Sequence, residues 1–586
     1  MCGFLFLVHQ NRTIDKNQFL KMGDLLKHRG PDNTSNFFIN EKIGLNVSRL
    51  RVHDSTSGSD QPFKSKCGRY IILFNGAIFN FKKLKKELES SGESFSTISD
   101  TEVLLKGYLR YGNDFFYKID GMYAIAIFDN LNLKLNVFRD FSGIKPVYYF
   151  HSDETLIISS EIKPILFFIS KKKLNSRVLL EFFCFQSVSA PNTFFKDVKA
   201  LEPNTFLSCF CENIKKIKLE RIIKNNSYLQ TNNEIDKQNE ILKLFKKNIK
   251  NCWFNDRKTG LLLSGGVDSG LILSISHKLL KDKNFPTFSI IFNDKKIKYY
   301  KPRSEEKTID YFLRKYKVQN EKFLFTNNEI KESFPQAIYF NEAPLVGASS
   351  VLYFLLAKKL KKKINVLLSG EGVDDIFNGY WNDFNFTNNL TDNLFFFNSK
   401  KMVKKIFNKS YLKENFDEFY KMFNKKKIWG KTLHEKLSNF SLNYTIQGLL
   451  LRLDKMFMSN GIETRPPFLT REIINLRFML QDDDIYYNSN GKFIIKTIAK
   501  KFYMKQSIFK PKIGFSSPFG DWLSDKKVWN EYLNELSYDF LEQFFDINFL
   551  KKSLEEIKNQ KWKGPKLNYI MSIVNFQMFY NVFFTK

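Results

Sequence analysis

Six cysteines in 586 residues leave no material for a disulfide framework, and the sequence predicts a reducing, cytoplasmic setting. Apolar runs are short too: none reaches the ~18 residues a bilayer span requires, so no membrane partner is expected. The opening MCGFLFLV lacks a basic start and a cleavage site, and is not expected to act as a signal peptide. Cys209 and Cys211 form a C-x-C with no second pair nearby, which argues against a metal site there. Internal repeats are missing, as are zinc-finger, RNA-recognition and helix-turn-helix spacings. The lysines behind the net charge of +31 are spread along the chain rather than gathered in one arm. That charge reads as compositional drift toward Lys, Asn, Ile and Phe, with no nucleic-acid partner. A basic nucleic-acid-binding protein is the non-enzymatic alternative, and a steep salt dependence of binding would reveal it.

A chain this long exceeds the size at which single cores stop growing, so two domains are expected. Residues 2–210 carry short strand-like runs such as GRYIILFNG, MYAIAIFD and TLIISSE with helical patterns between them. This predicts an α+β domain of layered antiparallel sheets with helices. Residues 211–234 turn hydrophilic and read as a linker. From 235 to 586 the pattern changes: an amphipathic helix over Ile235–Phe254, then strands near Leu261–Leu263, Thr287–Phe292 and Ile364–Leu368, alternating with helices. That alternation predicts an α/β domain with a parallel sheet, and the part beyond Phe384 reads as mainly helical.

Two constellations carry chemistry. Cys2 follows Met1 directly, and removal of Met1 would leave a thiol and a free α-amine on one residue. Their ordinary pKa values, ~8.5 and ~7.7–8.0, make the amine a fitting base for the thiol. A thiolate that attacks an amide creates an oxyanion, which the Asn75 side chain and the Gly76 N–H are placed to receive. An amino-acid substrate brings a carboxylate suited to the planar fork of Arg49, and an ammonium suited to Asp100. The second constellation is Ser264-Gly265-Gly266-Val267-Asp268-Ser269 at a strand-to-helix junction. Orphan N–H groups at a helix start and two glycines make a cradle for phosphate oxygens, without the Gly-Lys-Thr ending of a γ-phosphoryl transferase. Ser369-Gly370-Glu371-Gly372-Val373-Asp374-Asp375 also follows a strand. Carboxylates grouped beside phosphates imply Mg²⁺, with Asp268 and Asp374 as its expected ligands.

MCGF, HRGPD, SRLRVHD, NGAIFN, SDTE, RDFSGIKPVYY and SSEIK run in order through the first domain. They resemble the glutamine-hydrolysing asparagine synthetases, class II glutamine amidotransferases whose first half is similar to the N-terminal nucleophile hydrolases. The Ser264–Ser269 loop resembles that of ATP pyrophosphatases, and GKFIIK, ETRPPFL and PKIGF match further family segments. The resemblance implies Cys2 as nucleophile, Arg49 and Asp100 as glutamine ligands, and Asn75 with Gly76 as oxyanion hole. It implies that Leu262, Ile290, Ser369 and Gly370 contact ATP, that Lys492 faces pyrophosphate and that Glu371 acts in forming a β-aspartyl-adenylate. Glutamine, aspartate and ATP are then the substrates, Mg²⁺ the cofactor and a homodimer the expected assembly. The chain departs from the family at Ala77, where a glutamate is usual, and at Asp375, Asn378, Pro466 and Thr470. Two other readings of the same residues stay open. One amidates a sugar acid, peptide or antibiotic precursor; the other uses free ammonia because Ala77 impairs the first domain.

Overall fold

A computed structural model describes residues 2–222, 236–253, 256–280, 283–292, 305–347, 349–379, 400–425, 430–488, 490–503, 508, 526–558 and 566–585. Strands in the first part are β1 (Cys2–His9), β2 (Asn33–Phe38), β3 (Ile43–Arg49), β4 (Phe63–Lys64), β5 (Tyr70–Ile78) and β6 (Gly121–Asp129). They continue with β7 (Lys134–Arg139), β8 (Tyr148–His151), β9 (Thr155–Ser159), β10 (Lys199–Ala200), β11 (Thr205–Phe210) and β12 (Asn213–Arg221). Two antiparallel sheets result, in the orders β10-β8-β9-β1-β3-β2 and β12-β11-β7-β6-β5-β4.

Alternation along the strands builds the layers. Phe4, Phe6 and Val8 of β1 meet Ile71 and Leu73 of β5 and Ala126 and Phe128 of β6 between the sheets. Leu5 and Leu7 point the other way, onto Phe19 and Met22 of the helix Lys16–Asp24. Ile72 and Phe74 do the same toward Val103 and Leu104 of the helix Asp100–Tyr111. The stack is therefore helix, sheet, sheet, helix, with the strand that begins at Cys2 inside it. This is the layered α+β arrangement of antiparallel sheets and helices that the sequence predicts.

One boundary needs correction. Residues 213–221 were expected to be linker, yet they form β12, paired antiparallel with β11 from Thr205↔Arg221 to Phe210↔Asn213. The strand is hydrophilic because it is the sheet edge: Ile214 is buried while Lys215, Lys216 and Lys218 face out. Lysines on an edge strand also discourage pairing with other chains. The rest of the expected linker, 223–234, lies outside the described residues.

In the second part the helix Lys237–Trp253 leads into β13 (Thr259–Leu262), β14 (Thr287–Ile290), β15 (Asn320–Phe323), β16 (Val366–Leu368) and β17 (Glu463–Arg465). The sheet is parallel, ordered β15-β14-β13-β16-β17. Succession runs outward from β13 on one side through β14 and β15, then returns to its other side at β16. The carboxyl ends of β13 and β16 thus flank the point where strand order reverses, where open α/β sheets bind ligands. Most described elements beyond residue 400 are helices, including Ile446–Met458 and Lys566–Phe584.

Candidate functional site: a buried thiol and two facing glycine loops

Cys2 is buried at the start of β1, opposite Arg49 in the β1–β3 register. Its backbone nitrogen donates to Asn75 Oδ1 at 3.3 Å. The other half of that amide, Asn75 Nδ2, is buried and has no hydrogen-bond partner among the described residues. An orphaned buried donor is costly unless something arrives to use it. Gly76 follows on β5, and a Cβ there would meet the Met122 carbonyl oxygen at 2.1 Å, so only glycine lets β5 lie this close to β6. Burial pushes the Cys2 thiol up, and the Arg49 charge opposes that push.

Gln61 is a site residue that motif reading did not single out. Its Nε2 lies 3.6 Å from Cys2 Sγ and donates to the Phe74 carbonyl at 3.1 Å, while its Oε1 accepts from Phe74 N at 2.6 Å. The amide is thereby fixed against β5 with a donor edge toward the sulfur. A glutamine before a proline carries no spacing signal, which is why the sequence hid it.

Arg49 is buried, but its Nη donors are taken. Nη1 reaches the Thr56 carbonyl and the Asp60 carboxylate; Nη2 reaches the Asp54 carbonyl at 3.0 Å and Ser59 Oγ at 2.7 Å. Asp100, at the start of its helix, accepts from Ile78 N at 3.1 Å. Burial pushes its carboxyl up to about 6 against that hydrogen bond, and Glu463 of β17 adds to the rise. Ala77 is fully buried in an apolar cluster with Leu50, Val52, Phe79 and Met122.

The glycine loops meet where the sheet reverses. Gly266 precedes the helix Val267–Leu279, and Gly265 sits at φ +84°, open to glycine and strained for other residues. Ser264 and Ser269 clasp the turn: Ser264 Oγ accepts from Gly266 N at 3.2 Å, and Ser269 Oγ accepts from Ser264 N at 3.3 Å. The second loop leaves β16 at Ser369. A Cβ on Gly370 would lie 2.9 Å from Asp268 Cβ and 3.1 Å from Ser269 N, so the loops touch through that glycine. Leu262 and Ile290 end the neighbouring strands β13 and β14 on the same edge.

Lys492 stands between the loops. Its Nζ is 2.7 and 3.0 Å from the Asp268 oxygens and 2.7 Å from Asp374 Oδ1. Glu371 takes a hydrogen bond from Arg452 Nη2 at 3.2 Å, and Arg452 Nη1 bonds Ser349 Oγ at 2.7 Å. Asp375 is pushed well above the carboxylate range by burial, Glu371 and Asp374, while accepting from Thr445 Oγ1 at 3.1 Å. Among the described residues no group of three or more His, Cys, Asp or Glu is arranged to hold a metal. Asp268 and Asp374 do converge on one cation, a pair of hard oxygen donors of the kind Mg²⁺ uses together with phosphates. The PKIGF segment, residues 511–515, lies outside the described residues.

Three motifs without an assigned role meet at the contact between the two parts. Arg29 of HRGPD bonds the Cys2 carbonyl at 3.4 Å, Glu161 of SSEIK at 3.0 Å and Asp454 at 2.8 Å. Asp140 accepts from the backbone nitrogens of Ser142, Ile144 and Lys145, and the loop so formed delivers Lys145 to Asp454 at 2.8 Å. Lys163 bridges Glu161 at 2.5 Å and Glu342 at 3.1 Å, and Lys455 completes the chain at 2.7 Å from Glu342.

Residues 1–219 match the family described as glutamine amidotransferase domain, and residues 240–581 match the family described as asparagine synthase. The chain is 26% identical to asparagine synthetase (glutamine-hydrolyzing) 1 of Bacillus subtilis, covering 92% of this chain and 90% of that one. It is 28% identical to asparagine synthetase (glutamine-hydrolyzing) 3 of the same organism, covering 96% and 94%. A putative asparagine synthetase (glutamine-hydrolyzing) 2 of Methanocaldococcus jannaschii is 29% identical, over 72% of this chain and 86% of that one. With the asparagine synthase match spanning more than half of its residues, the chain belongs to the asparagine synthase family.

Proposed function

We propose that this protein is a glutamine-dependent asparagine synthetase. Glutamine-dependent C–N ligation is the activity of its family, and ATP use comes with the synthase domain. Aspartate as acceptor, Mg²⁺ as cofactor and the role of each residue are parts of the proposal. The observation that carries it is the Cys2–Asn75 pair: one end of a buried amide holds the cysteine nitrogen while the other end has no partner among the described residues.

In this reading the α-amine of mature Cys2 takes the thiol proton, and the thiolate attacks the side-chain amide carbon of glutamine. Asn75 Nδ2 and Gly76 N–H receive the oxyanion. Ammonia leaves with the proton returned from the amine, and water then cleaves the thioester to free glutamate. Asp100 holds the glutamine ammonium.

In the second part the Ser264–Ser269 turn and Ser369–Gly370 cradle the phosphates of ATP, with Leu262 and Ile290 against the nucleoside. Asp268 and Asp374 would hold Mg²⁺, which supplies charge neutralisation to the phosphates when bound. Lys492, now between those carboxylates, then turns toward the departing pyrophosphate. An aspartate β-carboxylate oxygen bonds to the α-phosphorus as the bond to pyrophosphate breaks. Ammonia attacks the acyl carbon, AMP leaves and asparagine forms.

The test is mass spectrometry of products from ATP, Mg²⁺, aspartate and ¹⁵N-amide glutamine. Label in asparagine, with one AMP per asparagine, is the expected result. Label in the amide of another added carboxylate, or asparagine formed from ammonium but never from glutamine, would replace this reading.

A further inference from the structure

The short segment after Arg49 folds back on it and supplies a carboxylate of its own. Asp60 contacts Arg49 Nη1 and also takes a two-pronged grip from Arg51, with Nε to Oδ1 at 3.0 Å and Nη2 to Oδ2 at 2.6 Å. The remaining Arg49 Nη donors are spent on Thr56, Asp54 and Ser59. We propose that Asp60 occupies the α-carboxylate subsite of the glutamine pocket, and that glutamine binds only when Asp60 yields Arg49 and stays on Arg51. Asp60 is then the residue that sets glutamine affinity. The inference rests on the proposed role of Arg49 as partner of the glutamine carboxylate.

Charge and geometry support it. A second carboxylate cannot share one guanidinium edge with Asp60 without like-charge repulsion. Arg51 gives Asp60 somewhere to remain, since its two contacts do not involve Arg49. With Asp60 in place the trio carries one net positive charge, which the incoming carboxylate neutralises. The Asp60 side chain is 21% exposed against 4% for Arg49, so the acid is the member free to swing. Its neighbour in the chain, Gln61, touches the Cys2 sulfur, so the displaced segment borders the nucleophile.

A glutamine-shaped diazoketone, 6-diazo-5-oxo-L-norleucine, alkylates a nucleophilic thiol only after binding as glutamine does. Iodoacetamide alkylates the same thiol without a carboxylate. Saturable labelling of Cys2 by the first, followed by mass spectrometry, reports occupancy of the pocket. Asp60→Asn is expected to lower the half-saturating concentration about tenfold, as when an occluded state that held nine-tenths of the population is removed. Arg51→Ala is expected to raise it, because Asp60 then clings to Arg49 alone. Iodoacetamide rates should follow neither change. A general loss of fold would move both variants in the same direction, and that outcome overturns the proposal. So does saturable labelling with an unmoved midpoint in Asp60→Asn, in which case the glutaminase reading survives. Failure of the diazoketone to label Cys2 saturably in the parent protein overturns both.

Discussion

Asp100 is a carboxylate whose usefulness depends on being charged in a place that resists charge. Burial holds its pKa up to about 6, the Ile78 N–H opposes the rise, and the nearby Glu463 adds to it. In its proposed role Asp100 must be ionised to pair with the glutamine ammonium. On top of the fall set by protonation of the Cys2 amine, glutaminase kcat/KM, which reports free-enzyme ionisations, is therefore expected to steepen by about a further tenfold per pH unit below about 6. Asp100→Asn should remove that extra steepening, and a parent slope unchanged between pH 7 and 5 would refute the assignment. Ala77 makes a second residue-scale case. A glutamate there would add a contact to the same ammonium, and hydrogen bonds to charged groups are worth ~1.5–3 kcal/mol, roughly 10- to 100-fold in binding. The structure adds a counterweight, since Ala77 is packed among Leu50, Val52 and Met122. Ala77→Glu should lower the glutamine KM and the melting temperature together; an unchanged KM would show that the missing carboxylate does not limit binding.

Elements explain which residues the sequence could reveal. Both glycine loops were legible, because a buried strand, a glycine turn and a helix start follow one another within a few residues. Their contact was not legible: it depends on β13 and β16 lying side by side, a pairing between residues over a hundred positions apart. Gly370 is where the pairing becomes chemistry. Adding a methyl there would push against Asp268 Cβ and the Ser269 backbone, which have no flexible end to yield. Gly370→Ala is thus expected to lower aspartate-dependent ATP–pyrophosphate exchange by roughly hundredfold, the scale set by displacing a site about an ångström. Glutamine hydrolysis at Cys2 should persist, and equal loss of both activities would mean the substitution had damaged the fold instead. The same long-range logic hid Asp60 and Gln61, whose roles come from the fold of residues 53–61 onto Arg49 and Cys2. It also explains β12, whose hydrophilic pattern is that of a linker until β11 is placed beside it.

At the scale of the whole molecule, the two parts of the chain are joined by buried charges rather than by apolar packing alone. Arg29, Lys145, Glu161, Lys163, Glu342, Asp454 and Lys455 are all nearly inaccessible and alternate in sign from the Cys2 carbonyl to the helix Ile446–Met458. That helix also carries Arg452, which holds Glu371, so one helix contacts the Ser369 loop directly and reaches the Cys2 carbonyl through Asp454 and Arg29. Burial alone would raise the Asp454 carboxyl, but Arg29 and Lys145 outweigh it and hold the group below its ordinary value. A depressed acid stabilises the folded state in full above its unfolded value, ~3.9, and loses that contribution as pH falls through the folded value. Asp454→Asn leaves Lys145 and one arm of Arg29 facing a neutral amide, a loss of the kind that costs about 3–5 kcal/mol for a buried pair. The denaturant midpoint of the variant should therefore lie well below the parent from pH 7 down to about pH 4. Below that the gap should narrow, because the unfolded parent takes up a proton that the folded Asp454 carboxylate still resists. A gap that stays constant to pH 3 would mean the Asp454 carboxyl has the same pKa in the folded and unfolded protein, so that Arg29 and Lys145 do not depress it. If the bridge also aligns the two sites, the variant should lose glutamine-driven synthesis more steeply than synthesis from added ammonium, since only the former needs nitrogen to cross between them.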